Sequence, residues 1–297
     1  MGRSAGVATA AALLCACNAK LGDQSQQQNN PDGAVQMDAP SSQTDAPTQL
    51  GPWGTPQAVP GASSTGNNED DLTLSSNALE LIYAVQPAAG TKDLYVMTRP
   101  TTTGAWSAAA PLTALNTAGT EESPRLSADD LTLYFGRDGD IYQTTRASVG
   151  AAWGPVSIVA GSGDTASYEK WFAVCGANHF MVSRDNGVTG QDLYEGMLGN
   201  AGSLVTELNS AKNEISTFLS PDCLTVYFAS NRGTQTAIYT ATRTSIGSAF
   251  SPPTAVAAPF DAGTDNEDPW ISVDQRIFAF ASVRPPGTNK DLYISTR

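Results

Sequence analysis

The stretch Glu121-Glu-Ser-Pro-Arg-Leu-Ser-Ala-Asp-Asp-Leu-Thr-Leu-Tyr-Phe135, followed by Asp140-Ile-Tyr142 and Arg146, decides how this chain is read, because its pattern returns along the sequence. The other copies begin at Glu69 (EDDLTLSSNALELIY), Glu169 (EKWFAVCGANHFMV), Glu214 (EISTFLSPDCLTVYF) and Glu267 (EDPWISVDQRIFAF). Each ends on a tyrosine, at Tyr95, Tyr142, Tyr194, Tyr239 and Tyr293, so the steps are 47, 52, 45 and 54 residues. Self-similarity at this period marks a propeller blade or a solenoid turn.

Within a copy, short stretches of alternating apolar residues are separated by turn residues, which is the period of strands and not of helices. In the second copy they are Pro124–Leu126, Leu131–Phe135 and Ile141–Thr144. Between the first two stands Ser-x-Asp, as Ser127/Asp129, Ser220/Asp222 and Ser272/Asp274, with Ser75/Asn77 in the first copy. Such side chains accept from nearby backbone amides and close a tight turn. An outer strand precedes most copies, opening on an aromatic with proline behind it: Trp53–Pro56, Trp106–Pro111, Trp153–Pro155 and Phe250–Pro253, with a degenerate version near Leu204-Val205. Proline lacks a ladder donor and suits an outermost strand. The chain thus opens with an orphan outer strand and ends at Arg297 without one. Pairing of 53–59 with 290–297 would complete the last blade and leave no long open edge. The expected fold is therefore all-β, a five-bladed β-propeller over residues 53–297.

Composition narrows the function. Sixteen Lys and Arg against 29 Asp and Glu leave a formal charge of −13, which opposes nucleic-acid binding and electrostatic docking to anionic lipid. No phosphate loop or dinucleotide fingerprint is present, so no cofactor is expected. One histidine, His179, and two mature cysteines cannot assemble a zinc site, and Asp138-Gly-Asp140 and Asp265–Asp268 do not match a calcium loop, so no metal is expected. No Gly-x-Ser-x-Gly elbow supports a serine triad through His179.

The amino terminus, MGRSAGVATAAALLCAC, carries one arginine before a short apolar run, as a secretory leader does. Leu14-Cys15-Ala16-Cys17 resembles the bacterial lipobox, which implies a signal peptide over 1–16, cleavage before Cys17 and lipidation of its sulfur. Asn18 then leans the expectation toward the outer membrane, in its periplasmic or surface leaflet. Residues 17–52, rich in Gln, Asn, Pro and Ser, read as a disordered tether with a reach of at most about 120 Å.

Glu69, Glu121, Glu169 and Glu214 fall at one place in the repeat, with Asn266 there in the last copy; Asp70, Glu122, Lys170, Ile215 and Glu267 follow one residue later. Since the innermost strands line a propeller's channel, Glu69, Glu121, Glu169, Glu214 and Glu267 form a candidate ligand ring at one mouth. Three readings stay open for them. They could pair with Arg137, Arg184, Arg232 and Arg284 or cap loops, bind a cation, basic peptide or sugar, or supply a catalytic carboxylate pair. Asp93, Asp140, Asp192 and Asp291 of the Asp-Leu/Ile-Tyr triplets suggest one structural Asp–Arg pair per blade. Trp171 and Trp270 are expected beside the acids. Cys175 and Cys223 occupy neighbouring positions of one turn in adjacent blades, and an exported chain could bridge them.

Leu115-Asn-Thr117, Glu121 to Phe135, Ser220-Pro-Asp222, Tyr227–Arg232 and the Asp-Leu-Tyr triplets resemble the TolB-type, WD40-like β-propeller repeat family. Asp130, Cys223 and Gln275 stand where that family usually has a turn glycine. The resemblance implies a non-enzymatic envelope lipoprotein, monomeric, whose propeller is a binding platform for a protein or polysaccharide partner and whose only membrane contact is its lipid. The alternative is a glycoside-hydrolase-like enzyme using channel carboxylates. A near-regular column of acids favours the platform, because an enzyme needs unequal ones.

Overall fold

The computed structural model describes residues 50–64, 66–188 and 190–297. Cys17, the leader and the tether up to residue 49 lie outside the described residues.

A two-residue strand, β1 (Gln57–Ala58), precedes the repeats. Blade 1 is β2 (Asn68–Leu74), β3 (Glu80–Gln86), β4 (Asp93–Thr98) and β5 (Ala110–Pro111). Blade 2 is β6 (Glu121–Leu126), β7 (Thr132–Arg137), β8 (Asp140–Thr145) and β9 (Ser157–Ile158). Blade 3 is β10 (Glu169–Cys175), β11 (His179–Asp185), β12 (Gln191–Met197) and β13 (Ser203–Leu204). Blade 4 is β14 (Glu214–Leu219), β15 (Thr225–Ser230), β16 (Ala237–Thr242) and β17 (Thr254–Ala255). The last three strands are β18 (Thr264–Ile271), β19 (Ile277–Val283) and β20 (Asp291–Thr296). They form blade 5 in the order β1-β20-β19-β18, so β1 is its outer strand, with Gln57 opposite Ile294 and Ala58 opposite Tyr293. Closure therefore joins the two ends of the repeat region, and all five sheets are four-stranded and antiparallel. The strands β2, β6, β10, β14 and β18 touch one another around the centre.

Apolar burial sits between blades, which explains why each strand alternates. Ile82, Ala84 and Leu94 meet Leu133 and Phe135 at the first seam, and Tyr134 and Ile141 meet Phe172 and Phe180 at the second. Met181 and Leu193 meet Val226 and Phe228, Ile238 meets Phe278 and Phe280, and Leu81 and Tyr83 meet Ala279 and Leu292 at the remaining three.

The Ser-x-Asp turns are built as their chemistry dictates. Ser127 Oγ donates to Asp129 Oδ1 at 2.6 Å and accepts from Thr132 N at 2.9 Å, while Leu131 N donates to Asp129 Oδ1 at 3.1 Å. The next residue of each such turn is left-handed without being glycine: Ala78, Asp130, Cys223 and Gln275 have φ of 56°, 61°, 62° and 57°. Each such residue costs about 1–2 kcal/mol against a glycine. Asp130 recovers part of that by accepting from Ser76 N and Oγ of the neighbouring blade at 2.8 and 2.7 Å. Cys223 is bonded to Cys175, with Cα atoms 5.4 Å apart, and ties blade 4 to blade 3.

Arginines that close the repeat do not pair with the Asp-Leu-Tyr aspartates. Among the described residues, Asp93, Asp140 and Asp291 enter no ion pair with them; Asp192 accepts from Asn186 Nδ2. Instead Arg99, Arg146, Arg243 and Arg297 each send Nε to a turn carbonyl, of Ala78, Asp130, Cys223 and Gln275. Each guanidinium lies over the aromatic that opens the outer strand, Trp106, Trp153, Phe250 or Trp53, at 4.1–4.3 Å from the ring centre. That contact is why the leader aromatic recurs.

Candidate functional site

A bulge repeated in every inner strand sets the geometry of the channel. The ladder between first and second strands slips after Asp70, Glu122, Lys170, Ile215 and Glu267. The next residues, Asp71, Ser123, Trp171, Ser216 and Asp268, all take positive φ, between 50° and 58°. A non-glycine residue there is strained and persists only when its surroundings hold it. The slip separates the acids of the repeat into groups with different fates.

The first group turns away from the channel. Glu69, Glu121, Glu169 and Glu214 are fully buried, and each closes the loop in front of its own strand. Glu121 accepts from Thr117 N at 2.9 Å, Thr117 Oγ1 at 2.6 Å and Arg137 Nε at 2.9 Å. Glu169 accepts from Thr165 Oγ1 and, at 2.9 Å, from Arg184 Nε. Glu214 accepts from Ser210 Oγ, Ser230 Oγ and Arg232 Nη2 at 2.6, 2.8 and 2.9 Å. Glu69 accepts from Ser64, and at the last copy Asn266 meets Ser282 Oγ at 2.7 Å. These four glutamates lock loops; of the expected ring only Glu267 stands with the second group of charged residues.

The second group forms the mouth. Lys92 Nζ lies 2.8 Å from both Asp70 Oδ1 and Asp71 Oδ2, and 3.9 Å from Glu122 Oε2. Lys170 Nζ is 2.7 Å from Glu122 Oε2, and Tyr168 donates its hydroxyl to Glu122 Oε1 at 2.7 Å. Lys290 Nζ is 2.7 Å from Glu267 Oε2. Deeper in, Trp171 Nε1 donates to Asp71 Oδ1 at 2.7 Å and Asp268 Oδ1 at 3.0 Å, and Asp71 N donates to Asp268 Oδ2 at 2.8 Å. Below them Arg125 is buried, with Nε on the carbonyl of Thr217 and Nη1 on that of Leu72.

Crowded carboxylates sharing few cations cannot all behave alike. Burial alone would raise Asp71, yet Lys92 and Lys170 beside it and the bonds from Lys92 and Trp171 hold it well below the usual range. Asp70 goes the other way, raised by burial and by the charge of Asp71. Asp268 is raised by burial and by Asp71, against the pull of Arg125. Burial pushes Glu267 up to about 7, only partly countered by Lys290, with Asp268 adding to the rise. Lys92 is held charged by Asp71, Asp70 and Glu122 despite its burial. Among the described residues no three carboxylate, imidazole or thiol groups are placed to hold a metal ion.

Beside this mouth an open polar cleft runs between the blade 5 loop Pro286–Asn289 and Ser63, Ser64 and Gly66. The loop continues into Lys290, whose carbonyl accepts from Glu69 N at 2.9 Å. The opposite end of the channel is apolar, ringed by Leu74, Leu126, Val174, Leu219 and Ile271, one from each blade. Trp270 lies at that apolar end, so of the two tryptophans expected beside the acids only Trp171 is there.

Lys92 and Lys290 escaped the sequence reading, which looked to the arginines for counter-charge. Their signal was present: Lys-Asp-Leu-Tyr occurs at 92–95 and again at 290–293, in two neighbouring blades of the ring.

No protein-family model and no curated protein matches the sequence. Solved structures do share its fold. The catalytic domain of a GH62 α-L-arabinofuranosidase from Coprinopsis cinerea superposes with a TM-score of 0.57 at 14% identity, over 82% of this chain and 96% of that one. The α-L-arabinofuranosidase of Podospora anserina, solved with cellotriose, gives 0.55 at 13% over 82% and 96%. TolB of Acinetobacter baumannii gives 0.47 at 14%, over 76% of this chain and 54% of that one, too slight a likeness to support an argument. These comparisons correct the expectation that the chain is no enzyme. It rested on a resemblance to non-catalytic repeats, and the fold is shared, nearly end to end, with glycoside hydrolase propellers.

Proposed function

We propose that this chain is a glycoside-cleaving enzyme that works on a polysaccharide at the acid mouth of its channel. One arrangement carries the reading: in adjoining blades Glu267 has, among the described residues, Lys290 alone at 2.7 Å, while Asp71 has both Lys92 at 2.8 Å and the Trp171 N–H at 2.7 Å, so burial raises Glu267 and the cations hold Asp71 low. Glycoside hydrolysis needs a carboxyl that still holds its proton near neutrality and a second that stays ionised. Glu267 has the environment of the proton donor. Asp71, clamped by Lys92 and Trp171, has that of the ionised partner. Tyr168, exposed at the rim, offers an aromatic face of the kind sugars stack on, and the polar cleft beside Lys290 gives a chain of hydroxyls somewhere to lie. The shared fold of the arabinofuranosidases supports the choice of reaction class.

The test is direct. Arabinoxylan, xylan and cello-oligosaccharides are offered to the full chain and to the Glu267→Gln and Asp71→Asn variants, with unfolding temperatures recorded in parallel. Release of sugar by the parent, lowered at least about 100-fold in both folded variants, is expected. Folded variants with the parent's rate would sink the assignment of these two acids. No release from any of the glycans would sink the hydrolase reading.

The leader and Cys17 give this activity an address. We propose that lipid on Cys17 holds the propeller at the cell envelope, facing polysaccharide outside the cytoplasm. A Cys17→Ser chain should then partition with the soluble fraction, and recovery in the membrane fraction would refute the anchor.

A further inference from the structure

The arginines that close the repeat differ in what their outer nitrogens reach. Arg146 Nη1 and Nη2 grip both oxygens of Glu80 on the preceding blade, at 2.9 and 2.6 Å. Arg243 reaches Glu195 on its preceding blade at 2.8 Å, with His179 Nε2 at 3.3 Å. Glu80 and His179 hold the same station, the first residue of the second strand, opposite Thr98 and Met197 in the ladder. Arg99 belongs to blade 1, whose preceding neighbour is blade 5. The station there, opposite Thr296, is occupied by Ile277.

Arg99 therefore keeps the turn carbonyl and the Trp106 ring but has no carboxylate facing it. Its Nη2 is buried without a hydrogen-bond partner among the described residues, and burial pulls its proton affinity down. One guanidinium nitrogen shielded from water with its donors unused is costly, and a carboxylate supplies matching acceptors. Arg99 also borders a long side groove between blades 5 and 1, where Val59, Pro60, Ala105, Trp106 and Ile294 contribute an apolar wall.

We propose that this seam is a binding site for an organic carboxylate, which takes the place at Arg99 that Glu80 holds at Arg146 while its less polar body lies along Trp106 and Ile294. The inference stands apart from the channel and holds whatever reaction occurs there. The carboxylate has two sources of the same chemistry, a uronate on a glycan or a short aliphatic acid.

Calorimetric titration of the full chain at low salt with hexanoate and with glucuronate, against hexanol and glucose as neutral counterparts, distinguishes them. At least one acid should bind about tenfold or more tightly than its neutral counterpart, the value of a charge-assisted bond, and the tighter acid names the source. Arg99→Gln should lose that margin. Ile277→Glu restores the internal pair and should leave the chain folded, with the acid excluded by about tenfold. Equal binding of acid and neutral counterpart, binding unchanged in Ile277→Glu, or no heat from either acid at millimolar concentration would overturn the proposal.

Discussion

Replacing Glu267 by glutamine should flatten the dependence of folding stability on pH between 4.5 and about 7, the ordinary and folded values of this carboxyl. The sign follows from linkage. Below 4.5 the group is protonated whether folded or not, and its contribution to stability is complete. As pH rises the unfolded chain releases the proton first and is favoured, so stability falls until the folded group also ionises near 7. A gap from 4.5 to about 7 corresponds to about 3 kcal/mol lost by the parent across this window. The variant also leaves Lys290 without its nearest partner, but Asp70 and Asp268 still favour its charged form, so that cost changes little across the window. Asp70 and Asp268 are raised by burial and tilt both proteins the same way, while Asp71 titrates below the window. Urea unfolding at four pH values across this interval, on parent and variant, gives the two slopes. Parallel lines, or a difference below about 1 kcal/mol, would refute the buried, protonated Glu267 and with it the proton donor.

Three further outcomes separate structure from chemistry. Glu121→Gln should cost about 1.5–3 kcal/mol, because the buried carboxylate that accepts from half-buried Arg137 and from Thr117 becomes a neutral amide, yet the rate per folded molecule should stay at the parent's value; a lost rate would return Glu121 to the site. Trp171→Phe removes the N–H shared by Asp71 and Asp268, so Asp71 should titrate higher and the acid limb of the pH–rate profile should move up, with an unmoved limb counting against Asp71. Cys175→Ser with Cys223→Ser should lower stability by about 4 kcal/mol, the loop-closure value for a separation of 48 residues, read by denaturation with and without reductant.

What the sequence announced and what it concealed divide at the bulge. Strand count, turns and closure by the first strand follow from local patterns, since alternation and Ser-x-Asp chemistry act over a few residues, whereas the same patterns put Cys175 and Cys223 in one turn of adjacent blades and left their bridge open. The acids were legible as a column, but their destination was not. Alternation places residue i on one face and i+1 on the other; the slip after Asp70, Glu122 and Glu267 breaks that count and sends Asp71 and Asp268 inward instead. No glycine marks the slip, because its residues are held left-handed by partners from other blades, as Asp71 is by Trp171 and Asp268. The loop-locking role of Glu121 and Glu214 was nearer to hand, in the Thr or Ser four residues before each.

A ring of identical blades cannot by itself set one carboxyl against another, since equivalent positions would share one environment. Asymmetry has to come from positions where the repeat fails. Lys92 and Lys290 appear in only two blades, Lys170 takes an acid's place in the third, and Ile215 empties the place in the fourth. These departures put two of the lysines against Asp71 and leave Glu267 with a single cation that does not outweigh its burial. The same logic reaches the rim, where Ile277 stands at the place that Glu80 fills for Arg146 and leaves Arg99 beside a groove. In this fold the conserved grammar of the repeat builds the frame, and each candidate site stands where one blade departs from it.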